Sequence, residues 1–281
     1  MREIKASEVT GAVANLFKQA NYNLGDDVIA ALKKARQAEE SAAGREVLDT
    51  LLKNAQVAAA EAIPLCQDCG SAVVFLEIGQ DVHVTGGDLY AAVNEGVRRA
   101  YTEGYLRKSM VERPFSDRKN TGDNTPAVIH TDIVRGDKLK IAIIPKGGGA
   151  ENMTRLGMLL PGAGKKGVTD FVVKAVEEAW SNPCPPIIVG VGIGGTAEKA
   201  MLMAKHSLLR KVGEPSPDRE TADLEKVILK KVNDLGIGPA GYGGRVTALA
   251  VQAESFPAHI GSLSVAVNLQ CHSARHREIA I

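Results

Sequence analysis

The sequence predicts an α/β chain, and three features carry that prediction. Apolar residues recur at helical spacing through roughly the first sixty positions. Short β-branched runs then alternate with further helical stretches, several of them joined through glycine-rich loops. The chain has 281 residues, 44% hydrophobic and 24% charged, which is ample material for a core. A formal net charge of +1 with no basic block argues against a nucleic-acid surface. The N-terminus runs straight into an amphipathic pattern without an apolar signal core. No stretch approaches the roughly 18 apolar residues of a membrane span, so a cytoplasmic protein is expected. No internal repeat or composition shift stands out. Residues 1–281 are therefore expected to form a single domain, with a helical N-terminal part over about 1–63.

In that opening, Val9, Val13, Leu16 and Phe17 share a helical face, then Val28, Ile29 and Leu32, then Val47, Leu48, Leu51 and Leu52. Asn23, Gly25, Asp26 and Asp27 punctuate the first gap and Ser41-Ala42-Ala43-Gly44 the second. Pro64 stops the last helix and Gly70 releases the chain into Ala72-Val73-Val74-Phe75-Leu76. Cys66-Gln67-Asp68 should therefore sit on a fixed corner. Asp88 is placed to cap a helix lined by Leu89, Val93, Val97 and Tyr101, which ends near Gly104 and is followed by Arg107.

Asn120-Thr121-Gly122-Asp123-Asn124-Thr125-Pro126 is dense in turn formers, open both to a plain surface loop and to an ordered turn beside a site. Strands at Ala127 to Ile129 and Leu139 to Ile143 flank Arg135-Gly136-Asp137, which reads as a hairpin turn. Lys146-Gly147-Gly148-Gly149 then leads into a segment expected to be helical. Its backbone N–H groups could face an anion, or the glycines could be a hinge. A helix over Val168 to Trp180 ends at Asn182-Pro183-Cys184-Pro185-Pro186, a second cysteine corner. A buried strand from Ile187 and a helix from Ala197 to Leu209 follow. A last helix over about Asp218 to Leu235 precedes strands at Val246 to Val251 and Leu263 to Leu269, the latter delivering Cys271 and His272.

Gly190, Gly192 and Gly195 satisfy a dinucleotide fingerprint literally, but no succession of parallel βαβ units surrounds them. Close helix–strand packing explains these glycines better. The cysteines are Cys66, Cys69, Cys184 and Cys271, read as reduced thiols or metal ligands. Cys66 and Cys69 could be a redox dithiol or half of a zinc site completed near Cys271. An iron–sulfur cluster accounts better for three cysteines that each terminate a separate element, and leaves one iron open as a Lewis acid.

Taken together, Pro64-Leu65-Cys66-Gln67-Asp68, Asn120 to Pro126, Lys146 to Asn152, Asn182 to Pro186, Gly190 to Thr196, His259-Ile260-Gly261-Ser262-Leu263 and Gln270-Cys271-His272 carry a resemblance. From about Ile4 to Arg275 the chain resembles the α subunit, or N-terminal half, of the iron–sulfur class I fumarases and the related tartrate dehydratases. The resemblance implies two small mixed β-sheets surrounded by helices, and a [4Fe-4S] cluster on Cys66, Cys184 and Cys271. It implies Gln67, Arg107 and Gly149 as substrate-binding positions, with Asp68 and His259 assisting proton transfer. Cys69 stands where the family usually has threonine and is expected to be a neighbour rather than a ligand. The implied reaction is reversible hydration of fumarate to L-malate. Its alternatives are L-tartrate dehydration or, from another class, a zinc- or redox-regulated binding module. A separate β subunit in an α2β2 assembly is the implied partner, with a small dicarboxylate as substrate and no nucleic acid or membrane.

Overall fold

The helical spacing of the opening becomes three helices. After a short strand β1 (Arg2–Lys5) come α1 (Ala6–Tyr22), α2 (Asp26–Ala38) and α3 (Ala42–Glu61). The chain continues through β2 (Ser71–Gly79), β3 (Val82–Thr85), α4 (Leu89–Glu103), β4 (Val128–Val134), β5 (Leu139–Lys146), the single turn α5 (Gly148–Glu151) and β6 (Arg155–Leu159). Then follow α6 (Gly164–Ala179), β7 (Ile187–Gly194), α7 (Ala197–His206), α8 (Arg219–Asn233), β8 (Ala248–Phe256), β9 (Leu263–Gln270) and β10 (Arg277–Ala280). This computed structural model describes all 281 residues. No helix is long and apolar enough to cross a membrane. Asp88 caps α4 as expected, its carboxylate accepting the Ala91 N–H at 2.7 Å, and Asp218 caps α8 through Thr221.

Where the composition marks no boundary, the chain packs as two compact units, each built from separate stretches. The first holds Met1–Gly25, Asn54–Gly148 and Arg275–Ile281. Its mixed sheet has the order β10-β5-β2-β4, with a two-stranded β1–β3 ribbon besides. Helices α1 and α4 pack on that sheet through Val9, Val13 and Phe17 with Val93, Val97 and Tyr101, over Val74, Leu76, Ile141 and Ile143. Burying each such side chain contributes about 1.5–3 kcal/mol.

The second unit holds Asp26–Lys53 and Gly149–Ala274. Its sheet has the order β6-β9-β7-β8. Strand alternation splits β7 between two faces: Val189 and Val191 meet Val172 and Val176 of α6 and Ile228 and Val232 of α8, while Gly190 and Gly192 face α7. Two of the three fingerprint glycines are thus explained. A Cβ on Gly190 would lie 2.0 Å from the Ala204 carbonyl oxygen, and one on Gly192 2.0 Å from that of Ala200.

The two sheets share one pairing pattern. Each central strand, β2 or β7, has a parallel neighbour on one side and an antiparallel neighbour on the other, followed by an antiparallel edge. Two expectations are corrected here. Strands β4 and β5 form no hairpin; they flank β2 on opposite sides. The apolar run of β2 needs cover from neighbours on both edges, and Arg135-Gly136-Asp137 turns across its end, where Gly136 accepts the Asp81 N–H. The segment after α5 is not helical either. It becomes edge strand β6, because Leu156 to Leu159 pair with β9 rather than closing helical turns.

Candidate active site

In the first unit, the Cys66 corner lies between the end of α3 and β2, held by backbone-directed bonds. Leu65 donates its N–H to the Asn21 carbonyl, and Asn54 donates its side-chain amide to the Leu65 carbonyl at 2.8 Å. Gly70 takes φ +76°, and a Cβ there would lie 2.6 Å from the Lys146 nitrogen. Cys66 is partly exposed, and its Sγ accepts the Asp68 N–H at 3.4 Å. Gln67 and Arg107 are exposed. Asp68 uses both carboxylate oxygens on backbone: Oδ1 accepts Gly70 N–H at 2.9 Å and Oδ2 accepts Gly148 N–H at 2.8 Å. The anion met by the Gly148 N–H of the glycine loop is therefore the chain's own Asp68.

Cys69, one turn further on, is buried, and the Tyr101 hydroxyl donates to its carbonyl at 2.7 Å. Burial pushes the Cys69 thiol up from its ordinary range, against the opposing pull of the Arg107 N–H and the Arg275 guanidinium. Burial likewise pushes the Tyr101 hydroxyl up, so it stays a donor. Arg275 is fully buried and donates to Asn21 Oδ1 at 2.8 Å.

In the second unit, Cys184 and Cys271 come together although 87 positions separate them (271 minus 184). Both the backbone N–H of His272, at 3.3 Å, and its Nδ1, at 3.0 Å, meet the Cys184 carbonyl oxygen. Against a carbonyl, that ring nitrogen is the donor. Cys184 is exposed and held at φ +57°, a left-handed conformation that costs a non-glycine residue energy and is typical of functional corners. The loop after α8 supports it: Ala240 N–H donates to the Pro185 carbonyl at 2.9 Å. Gly149 is exposed, with Asn182 behind it, since a Cβ would come within 3.0 Å of that carbonyl oxygen.

His259 lies elsewhere in the unit. It is exposed on the loop before β9, and its Nδ1 accepts the Gly261 N–H at 3.1 Å, leaving Nε2 to carry the proton of the neutral ring. Cys271 follows the other end of β9. An eight-residue strand spans roughly 25 Å, so His259 and the Cys184–Cys271 pair occupy opposite ends of this sheet.

The three cysteines expected as ligands each keep some exposure, whereas Cys69 is buried in the core. No three His, Cys, Asp or Glu side chains are gathered around a single-ion position. Tyr101 as a carbonyl donor carried no sequence signal, and His272 stood in a quoted motif without its role as the strap on Cys184 being visible. Asn124 belonged to a motif that the sequence did single out, and its place in the ordered turn is resolved by its bonds to Gly70, Ser109 and Met110.

Comparison with known proteins agrees with this frame. Residues 10–280 match the family described as Fumarate hydratase (Fumerase). A protein of Methanocaldococcus jannaschii, provisionally named L(+)-tartrate dehydratase subunit alpha, is 39% identical over 272 residues, covering 95% of each chain. The L(+)-tartrate dehydratase subunit alpha of Escherichia coli K12 is 31% identical over 277 residues, 98% of this chain and 91% of its own. The family match and the relatives define an enzyme of the hydro-lyase class. More particularly, the chain belongs to the Fumarate hydratase (Fumerase) family.

Proposed function

We propose that this chain is the cluster-bearing α subunit of a two-subunit [4Fe-4S] hydro-lyase that interconverts fumarate and L-malate. The observation that supports the reading is the bonding of His272, next to Cys271, to the Cys184 carbonyl, which joins the two cysteine segments at one end of the second sheet. Cys66, Cys184 and Cys271 would hold the cluster, which when bound supplies an iron Lewis acid for a substrate hydroxyl. Cys69 is left out of the ligand set, its sulfur engaged with backbone.

The remaining chemistry falls to the chain's own groups. Arg107, exposed and cationic, suits a bidentate grip on one carboxylate, and Gln67 and the Gly149 backbone suit neutral hydrogen bonds to substrate oxygens. Asp68, anchored at both oxygens, has its remaining lone pairs in a fixed direction for orienting a proton. His259 presents Nε2 for proton transfer, and its position at the far end of β9 means it would serve the site of a second copy. An α2β2 assembly with a separate β subunit provides that copy. A second substrate reading, L-tartrate, is favoured by the names of the relatives at 39% and 31% identity.

Anaerobic reconstitution followed by iron and sulfide analysis tests the cluster. About four irons per chain are expected, falling sharply in Cys66→Ser, Cys184→Ser and Cys271→Ser but not in Cys69→Ser. A single zinc, or equal loss on changing Cys69, would sink the assignment. Assay with the β partner on fumarate, L-malate and L-tartrate assigns the substrate.

A further inference from the structure

Residues 106–110, which carry Arg107, form neither helix nor strand, so no ladder holds their backbone. Its carbonyls at Lys108 and Met110 are met by Asn120 Nδ2 and the Thr121 N–H, each at 3.0 Å, and two buried side chains take three of its N–H groups. The Arg107 N–H donates to Cys69 Sγ at 3.2 Å, and the same thiol donates to the Cys66 carbonyl at 3.6 Å. Fully buried Asn124 accepts the N–H of Ser109 at 2.7 Å and of Met110 at 3.2 Å on Oδ1, while its Nδ2 donates to the Gly70 carbonyl at 3.1 Å. Three backbone donors of one irregular segment thus end on two buried side chains, each of which also bonds the Cys66–Gly70 corner.

We propose that Cys69 and Asn124 are positioning residues that fix the Arg107 backbone to the Cys66 corner, so that the guanidinium reaches the substrate from a fixed anchor. The proposal rests on reading Arg107 as a carboxylate holder. The long side chain is exposed and free to swing, so the only rigid part of the grip is the backbone that these two residues pin. Small displacements of such a group are costly, because the bidentate geometry is narrow. A thiol is used here as simultaneous donor and acceptor, which a hydroxyl can reproduce and a methyl cannot.

The test compares Cys69→Ala, Cys69→Ser, Asn124→Asp and Arg107→Lys in two measurements. In the cluster-free chain, amide hydrogen exchange should quicken at Arg107 in Cys69→Ala and return towards wild type in Cys69→Ser. Asn124→Asp keeps the acceptor for Ser109 and Met110 but loses the donor to Gly70, so exchange across 107–110 should rise without global unfolding. In the loaded enzyme with its partner subunit, Cys69→Ala should raise KM for the dicarboxylate roughly ten-fold with kcat within about three-fold, and Cys69→Ser should restore it. An unchanged Arg107 amide and KM in Cys69→Ala, or equal damage from Ala and Ser, overturns the proposal. An unchanged KM in Arg107→Lys overturns instead the reading of Arg107 as a holder, and the exchange data still judge the pinning.

Discussion

Glu39 is a buried carboxylate held by backbone alone on four sides. Its Oε1 accepts the N–H groups of Glu40, Ser41 and Arg245, and its Oε2 that of Val246, all at 2.9 Å. Space was cleared for it: a Cβ on Gly44 would meet its Cγ at 2.9 Å, and one on Gly244 its Oε1 at 2.5 Å. Burial by itself pushes its pKa up, but the four N–H bonds outweigh that and hold it below the ordinary carboxylate value. A depressed folded value contributes stability that is present above about pH 4.3 and lost as pH falls through the folded value. Glu39→Gln should therefore cost about 2–4 kcal/mol at pH 7, since its amide NH2 would face backbone donors. Urea titrations should also show a flatter loss of stability between about pH 5 and 3 in the variant than in wild type. Nothing in Glu39-Glu40 distinguishes the two residues in sequence, because two of the four partners of Glu39, Arg245 and Val246, lie 206 and 207 positions away.

At the level of elements, what could be read in advance was whatever is decided locally. The Asp88 cap, the Pro64 and Gly70 limits of the Cys66 corner and the apolar periods of α1, α4 and α8 depend on neighbours in sequence, and they stand. Strand order does not. The turn at Arg135-Gly136-Asp137 has hairpin chemistry, yet β2 takes the place between its flanking strands. Strand β6, with Leu156, Met158 and Leu159 around a glycine, suits helix or strand equally until β9 supplies its partner, and β10 is too short to register alone. The shared pattern of the two sheets was equally hidden, although it explains the cysteine corners: Cys66 and Cys184 each precede a central strand, and Gly147 and Cys271 each follow its antiparallel neighbour. The glycines of β7 belong to this scale. Gly192→Ala puts a methyl into the Ala200 backbone, and should destabilise by about 3 kcal/mol or more, or prevent folding, as read by thermal melts. Titration of wild type with NAD(H), followed by cofactor fluorescence, should show no saturable binding.

For the whole molecule, the decisive relation is the length of β9. It sets the exposed imidazole of His259 at one end of a sheet and the Cys184–Cys271 pair at the other, roughly 25 Å apart, and no side-chain rotation closes that gap. A sequence in which both motifs match one family gives no hint of the separation, because motif order says nothing about which end of a sheet each motif reaches. If both serve one reaction, they do so across copies, which closed two-fold symmetry supplies twice over. Complementation decides it. His259→Ala and Cys66→Ser chains, each assembled alone with the partner subunit, should be nearly inactive. Mixed in equal amounts before assembly, half of the pairs are hybrid, and in each hybrid one site combines an intact Cys66 with an intact His259 from the neighbour. Recovery should approach about a quarter of wild-type activity. Were His259 to act within its own chain, every site in the mixture would lack one of the two groups, and activity would stay at the level of the separate variants.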